Sequence, residues 1–177
     1  MNKLELRKKY LDIRKELPNK KEKSLIIKDK VLSLLSKYHV IGIYASMDDE
    51  VSTDGLIIEL LKLSKVVVLP KIEDDHISFY QITSLDDLIV QGKYQIREPM
   101  GHNRPKEPIE AIIVPGISFD MKKNRLGFGK AYYDKYLSKL DIYKIGICFD
   151  ELIVDEIPTE EWDIKMDIVI SDKRIIN

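Results

Sequence analysis

The chain holds one cysteine, Cys148, in 177 residues, which excludes an intramolecular disulfide and a cysteine-based zinc site. Its three histidines, His39, His76 and His102, are scattered and show no metal-ligand spacing. Neither charge sign is in excess. The formal net charge of −1 excludes the broad basic surface that nucleic-acid binding requires. No apolar run approaches a membrane span, and no early stretch joins basic residues, an apolar segment and a small-residue cleavage site. The expectation is a cytoplasmic protein with neither a nucleic-acid nor a membrane partner. No Ser–His or Cys–His pairing is recognisable, so a covalent enzyme intermediate is not indicated. Cys148 sits inside an apolar run, where a buried structural thiol is favoured over a nucleophile. Internal repeats and low-complexity segments are also lacking.

What the chain does contain is an ordinary soluble mixture, 44% hydrophobic and 33% charged residues, long enough for one domain with a real core, residues 1–177. Asn2-Lys3-Leu4-Glu5 reads as a capping box, followed by Leu6, Tyr10, Ile13 and Leu17 at helical spacing up to Pro18. A second helix is predicted from about Lys20 to Ser36, with Leu25, Ile27, Val31, Leu32 and Leu35 on its buried face. Val40 to Tyr44 is a continuous apolar run, as a strand covered on both faces should be. The loop Ala45 to Thr53 ends at an expected N-cap and a helix to about Leu63. Val66 to Leu69 reads as a strand closed by Pro70, and Ile77 to Ile82 as a peripheral strand. Ser84 to Asp87 reads as a capped short helix and Gln91-Gly92 as a turn. The segment from Arg97 to Pro108 reads as a loop. Ala111–Val114, Lys144–Phe149 and Ile168–Ile170 complete the strands. The alternation of helical and strand-like runs predicts an α/β domain with a mostly parallel sheet.

The chain is organised around Val114 to Tyr136. Pro115-Gly116 turns the backbone after a strand, and Gly127 and Gly129 then lead into a predicted helix from Lys130 to Leu140. Amides at such a junction attract anions such as phosphate. Arg125 and Lys130 add two cations, and Asp134 supplies a hard oxygen ligand one turn on. That set suits a nucleoside triphosphate with Mg²⁺. A P-loop is excluded, because Ala131 follows Gly129-Lys130 and Asn124 stands where the first glycine belongs. The dinucleotide fingerprint fails as well, with Tyr132 in place of its third glycine.

This stretch resembles the signature P-G-x-x-F-D-x-x-x-x-R-L-G-x-G-x-G-Y-Y-D of the 5-formyltetrahydrofolate cyclo-ligase family. The matching residues are Pro115, Gly116, Phe119, Asp120, Arg125, Leu126, Gly127, Gly129, Tyr132, Tyr133 and Asp134. Departures fall at Ala131, where the family usually has glycine, and at Lys122-Lys123, where a glycine is common. Alanine is the mildest replacement if position 131 is helical, and a costly one if it needs positive φ. The resemblance implies a Rossmann-like three-layer sandwich with helices on both sheet faces. It implies an ATP site formed by Lys3, Leu4, Glu5, Leu6 and Arg7 together with Arg125, Leu126, Gly127, Phe128, Gly129, Lys130, Ala131, Tyr132 and Tyr133. It implies a folate site with Ala45 and Glu50, joined by Phe128, Gly129, Lys130 and Tyr132. Asp134, and Asp163 in E-E-W-D-I-K-M-D, are implied as the Mg²⁺-associated carboxylates, with Arg125 and Lys130 catalytic. The implied partners are a reduced folate and ATP, on an expected monomer. Trp162 is open between core and pocket wall, and Arg97-Glu98-Pro99 resembles a family E-P dipeptide without assigned chemistry.

The implied reaction turns 5-formyltetrahydrofolate and ATP into 5,10-methenyltetrahydrofolate, ADP and phosphate. Two rivals stand beside it: a non-catalytic nucleotide or folate sensor on the same fold, and an ATP-independent enzyme on a similar scaffold, such as a sugar-phosphate isomerase or CoA transferase. Folate binding separates the first, and ATP dependence the second.

Overall fold

A computed structural model describes residues 1–177. The Asn2 capping box forms as expected: the Asn2 side chain accepts from the Glu5 amide and the Glu5 carboxylate accepts from the Asn2 amide. Helix α1 (Lys3–Glu16) follows and ends at Leu17, whose extended backbone precedes Pro18. Helix α2 (Lys20–Leu35) buries Ser24, Ile27, Val31 and Leu35, a stripe at three- and four-residue spacing. Leu25 was expected on that stripe but is 56% exposed, because it stands one position round the helix from Ser24.

The chain then runs through β1 (Val40–Gly42), α3 (Asp54–Lys62), β2 (Val66–Glu73), β3 (His76–Ile82), β4 (Leu88–Gln91), β5 (Ile96–Pro99) and β6 (Ala111–Val114). It continues through β7 (Ser118–Asp120), β8 (Arg125–Leu126), α4 (Tyr132–Leu137), β9 (Tyr143–Ile147), β10 (Ile153–Val154), β11 (Ile168–Ile170) and β12 (Ile175–Ile176). Seven strands form the main sheet in the order β12-β11-β9-β6-β1-β2-β3. The five inner strands are mutually parallel, and the two edges, β12 and β3, are antiparallel. The expected α/β domain with a mostly parallel sheet and packed helices is what the chain adopts. No helix is long and apolar enough to cross a membrane.

Inner strands read as apolar runs because both faces are covered: Ala111 to Val114 are all fully buried. Cys148 lies in the same core, where burial pushes its thiol far above the usual range, consistent with the structural reading. Pro70 does not close β2; the strand continues to Glu73, with Pro70 opposite Phe79. The Ile43 amide donates to the Val68 carbonyl, so residues 68, 70 and 72 direct their backbone groups toward β1. Since β1 has ended by then, the missing amide of Pro70 breaks no ladder bond. The Ile72 amide, left without a strand partner, donates instead to the buried Glu98 carboxylate at 2.6 Å, which gives Glu98 a structural role. Leu88–Pro99, apart from its turn, forms an antiparallel hairpin that the sequence does not announce.

A second small sheet, β10-β7-β8, carries the signature stretch. Its hairpin is held by Asp120, which has no exposed surface and accepts from the Lys122, Asn124 and Ile157 amides and the Asn124 side chain. A satellite core of Leu6, Ile117, Leu126 and Ile157 docks α1 onto this sheet. Helix α4 is shorter than the expected Lys130–Leu140. Ala131 lies in the left-handed region at φ 56°, so helical geometry cannot begin before Tyr132.

Candidate active site

Chain direction reverses around β1. The connection after β1 leads toward β2, and the one after β6 leads the other way toward β9, so a crevice opens at the carboxyl ends of β1 and β6. A cavity of about 420 Å³ lies there, within the range of small-molecule sites. One end is basic. Lys3 and Arg7 of α1, Arg125 of β8 and Lys130 all reach it, with Asp134 and Asp163 between them. The other end is apolar, walled by Ala45, Met47, Pro70, Ile72, Ile77 and Ile96.

Arg125 is the best-held cation. Its Nη2 donates to Asp134 Oδ2 at 2.8 Å and its Nη1 to the Pro115 carbonyl at 3.0 Å, while Nε is buried with no acceptor. The guanidinium also lies over the Tyr133 ring, 5.8 Å from its centroid. Burial pushes the Tyr133 phenol well above its usual range, so it stays neutral at working pH. The two glycines have a steric purpose beyond offering amides. A Cβ on Gly127 would stand 2.7 Å from Arg125 Nη1, and one on Gly129 would stand 3.3 Å from Arg7 Cζ. Arg7 Nε in turn donates to the Gly127 carbonyl at 2.7 Å, tying α1 to the glycine loop. Lys130 is exposed and has no acidic partner within 4 Å, leaving its charge free for a ligand.

Of the expected ATP-site residues, Lys3, Arg7 and all of Arg125 to Tyr133 line this cavity. Leu4, Glu5 and Leu6 do not. Leu4 is 74% exposed, Glu5 belongs to the capping box and Leu6 sits in the satellite core. Both family departures have a backbone consequence: Lys123 at φ 66° and Ala131 at φ 56° are left-handed positions where glycine would be unstrained.

Asp134 and Asp163 both line the cavity, but each is engaged. Asp134 accepts from Arg125 and from the Ile164 amide, and Asp163 accepts from Lys3 and from the Glu160 amide. No group of three or more His, Cys, Asp or Glu side chains gathers as a closed cation cage would need. Two carboxylates lining one cavity with Lys3, Arg7, Arg125 and Lys130 are hard oxygen donors of the kind that suits a Mg²⁺ ion arriving with an anionic ligand, so the residues fit that ion.

Glu50 closes the apolar end. It is 7% exposed, and its Oε2 accepts from the Met47 amide at 2.8 Å. Burial pushes its carboxyl above the usual range, opposed by that amide and by Arg14. Thr53 was expected to cap α3 but makes no cap bond. Its hydroxyl donates to the Tyr44 carbonyl at 2.7 Å and accepts from the Ser46 amide at 3.0 Å, which pins the Glu50 loop. Three cavity residues come from the hairpin: Tyr94, Ile96 and Arg97. Arg97 is clamped by Asp54 at 2.7 and 3.2 Å and by the Ser46 carbonyl, and Tyr94 meets Tyr132 edge-on. Nothing in their sequence marks them as site residues. Trp162 is 63% exposed at the rim, so it is pocket wall rather than core.

Comparison with known proteins decides the family. The model of the 5-formyltetrahydrofolate cyclo-ligase family matches residues 1–172. The chain belongs to that family, a family of ligases. A Schizosaccharomyces pombe protein named probable 5-formyltetrahydrofolate cyclo-ligase is 36% identical over 145 residues, covering 72% of this chain and 71% of its own length. A Mycoplasma pneumoniae 5-formyltetrahydrofolate cyclo-ligase is 28% identical over 98% of this chain and 100% of its own. The solved structure of Aquifex aeolicus 5,10-methenyltetrahydrofolate synthetase superposes with a TM-score of 0.81 at 35% identity, covering 99% of this chain and 92% of that one. The family's fold thus agrees with the α/β architecture described above.

Proposed function

We propose that the chain closes 5-formyltetrahydrofolate to 5,10-methenyltetrahydrofolate at the expense of ATP. The observation that carries this reading is one cavity with two unlike ends. An end lined by Lys3, Arg7, Arg125 and Lys130 suits a triphosphate, and the same cavity takes in apolar walls and the buried Glu50 carboxylate.

The chemistry follows from what those ends can hold. A formamide oxygen is a poor leaving group until it is phosphorylated. Arg125, Lys130, Lys3 and Arg7 hold the phosphates, and the amides around Gly127 and Gly129 orient the terminal one. The formyl oxygen of a folate lying toward Ala45 and Glu50 then meets the γ-phosphorus, and its new bond to phosphorus replaces the bond to ADP. N10 of the same folate attacks the formyl carbon and loses its proton, and phosphate departs with the carbon–oxygen bond. Asp134 and Asp163 would hold Mg²⁺, which when bound neutralises phosphate charge. Arg125 is pre-set for its role because Asp134 and the Pro115 carbonyl fix its plane. Tyr44, Tyr132, Tyr133 and Phe128 exclude water from the reacting centre, where electrostatic contacts strengthen as the dielectric falls.

The test is a spectrophotometric assay of 5-formyltetrahydrofolate with the purified protein. Methenyl absorbance should grow with ATP and Mg²⁺ together, and not when either is left out or the cation is chelated. Growth of the product without ATP would overturn the reading in favour of a different enzyme. Folate binding with no product under any condition would favour the sensor.

A further inference from the structure

Two side-chain nitrogens in the protein are buried without a hydrogen-bond acceptor: Arg125 Nε and Arg14 Nη1. The first belongs to the site above. The second lies beside it, on the face of α1 that meets the Glu50 loop, in a residue that is 2% exposed and does not line the cavity. Arg14 Nε and Nη2 donate to the two Asp49 carboxylate oxygens at 3.1 and 3.2 Å. Its Nη1 stands 3.8 Å from Glu50 Oε1, within ion-pair range but short of a hydrogen bond. The guanidinium also lies 5.7 Å from the centroid of the Phe128 ring. One buried cation therefore touches α1's own loop partner Asp49, the carboxylate that closes the apolar end, and an aromatic residue of the glycine loop.

We propose that Arg14 is the positioning residue of the folate end: by clasping Asp49 and facing Glu50 it fixes the loop that presents the Glu50 side chain to the hydrogen-bond donors of a reduced pterin. This rests on the cyclo-ligase reading. The charged and titratable groups facing Glu50 are Arg14 from α1, Asp49 from its own loop, Tyr44 at the end of β1 and Tyr133 from α4. Burial raises both phenols, so neither competes as an anion. Burial and Asp49 oppose ionisation of Glu50, the Met47 amide favours it, and Arg14 is the cation that adds to that amide. The unpaired Nη1 lies where a small movement of Glu50 completes the pair.

The experiment compares wild type with Arg14→Met and Arg14→Lys, measuring KM for each substrate and kcat/KM for 5-formyltetrahydrofolate from acid to neutral pH. Arg14→Met should raise the folate KM about tenfold, leave the ATP KM within about twofold, and move the acid limb of the folate profile up by about one pH unit. Arg14→Lys keeps the charge but loses the two-point contact with Asp49. It should raise the folate KM severalfold with the acid limb unmoved. Equal rises in both KM values, or an unmoved limb in Arg14→Met, would overturn the proposal. Should Arg14→Met fail to fold, Arg14→Lys decides alone, and a folate KM equal to wild type overturns the role. Wild-type turnover separates the two levels: no methenyl product from wild type strikes the cyclo-ligase reading itself, whereas product with an unmoved limb strikes Arg14 only.

Discussion

The two ends of the cavity are built in opposite ways. The basic end is drawn mainly from one contiguous stretch, Pro115 to Asp134, with Lys3 and Arg7 added from α1 and Asp163 from near the C-terminus; two of its cations are paired, Arg125 with Asp134 and Lys3 with Asp163, and Lys130 is not. The apolar end is gathered from the β1 loop, β2, β3 and the β4–β5 hairpin, and it carries one buried carboxylate. Donors that stabilise developing charge work best when set in advance, and here Arg125 is fixed by a partner nine positions on, Asp134, while Lys3 is fixed across the fold by Asp163. A surface that recognises a flat heterocycle needs only shape, exclusion of water and a few polar anchors. Such a surface can be assembled from distant segments.

If that division holds, damage to each end should read out differently. The largest effect belongs to Arg125→Ala. It should lower kcat by on the order of 10²-fold, about 3 kcal/mol of transition-state stabilisation. Lys130→Ala should fall in the same direction without loss of thermal stability, because Lys130 is exposed and unpaired. Steady-state kinetics and a melting curve check both. Near-normal turnover in either variant would break the assignment of chemistry to the basic end.

A smaller effect is expected at the apolar end. Glu50→Gln should weaken 5-formyltetrahydrofolate binding by about tenfold, about 1.4 kcal/mol, with ATP affinity unchanged by calorimetry. The opposite pattern would mean the two ends have been exchanged. In wild type the raised Glu50 carboxyl should also make folate binding fall as pH drops, beginning above the usual carboxylate range, because protonation removes the acceptor. ATP affinity over the same interval is the internal control.

The smallest effect concerns backbone strain. Lys123→Gly and Ala131→Gly each relieve left-handed strain of about 1–2 kcal/mol, offset in part by roughly 0.5–1 kcal/mol for the greater freedom of glycine in the unfolded chain. Both should raise the denaturation midpoint slightly. A drop in stability for Ala131→Gly would show that its methyl group packs more than its backbone strains.

Much of the basic end was legible before folding was considered. Arg125, Gly127, Gly129 and Lys130 stand together in the chain, so their joint chemistry needs no tertiary information. What could not be read was why the glycines are there: Gly127 leaves room for the Arg125 guanidinium folded back over it, and Gly129 holds a backbone at φ 95° that other residues rarely adopt. Leu6 lies in the chain between the cavity residues Lys3 and Arg7 yet turns away into the satellite core, in keeping with its place on the apolar stripe of α1. On a helix, adjacent positions point about 100° apart. The hairpin was hidden for a different reason. Ile89 and Val90 are exposed, and the segment lacks the alternation that marks a half-buried strand, so Tyr94 and Arg97 carry no local signal of the site they join.

By itself the sequence settled what is decided over short distances: the α1 cap, the buried apolar strands, the turn at Pro115 and the clustered cations that suit phosphate. These follow from local propensity and from the run of apolar residues that a doubly covered strand requires. Only the tertiary structure decided that Glu50 is buried, that Arg14 faces it, and that the β4–β5 hairpin helps close the same cavity. Burial and pairing of charge depend on the order of strands in the sheet, and that order sets β6 beside β1, with Ala111 opposite Ile41 from 70 positions along the chain.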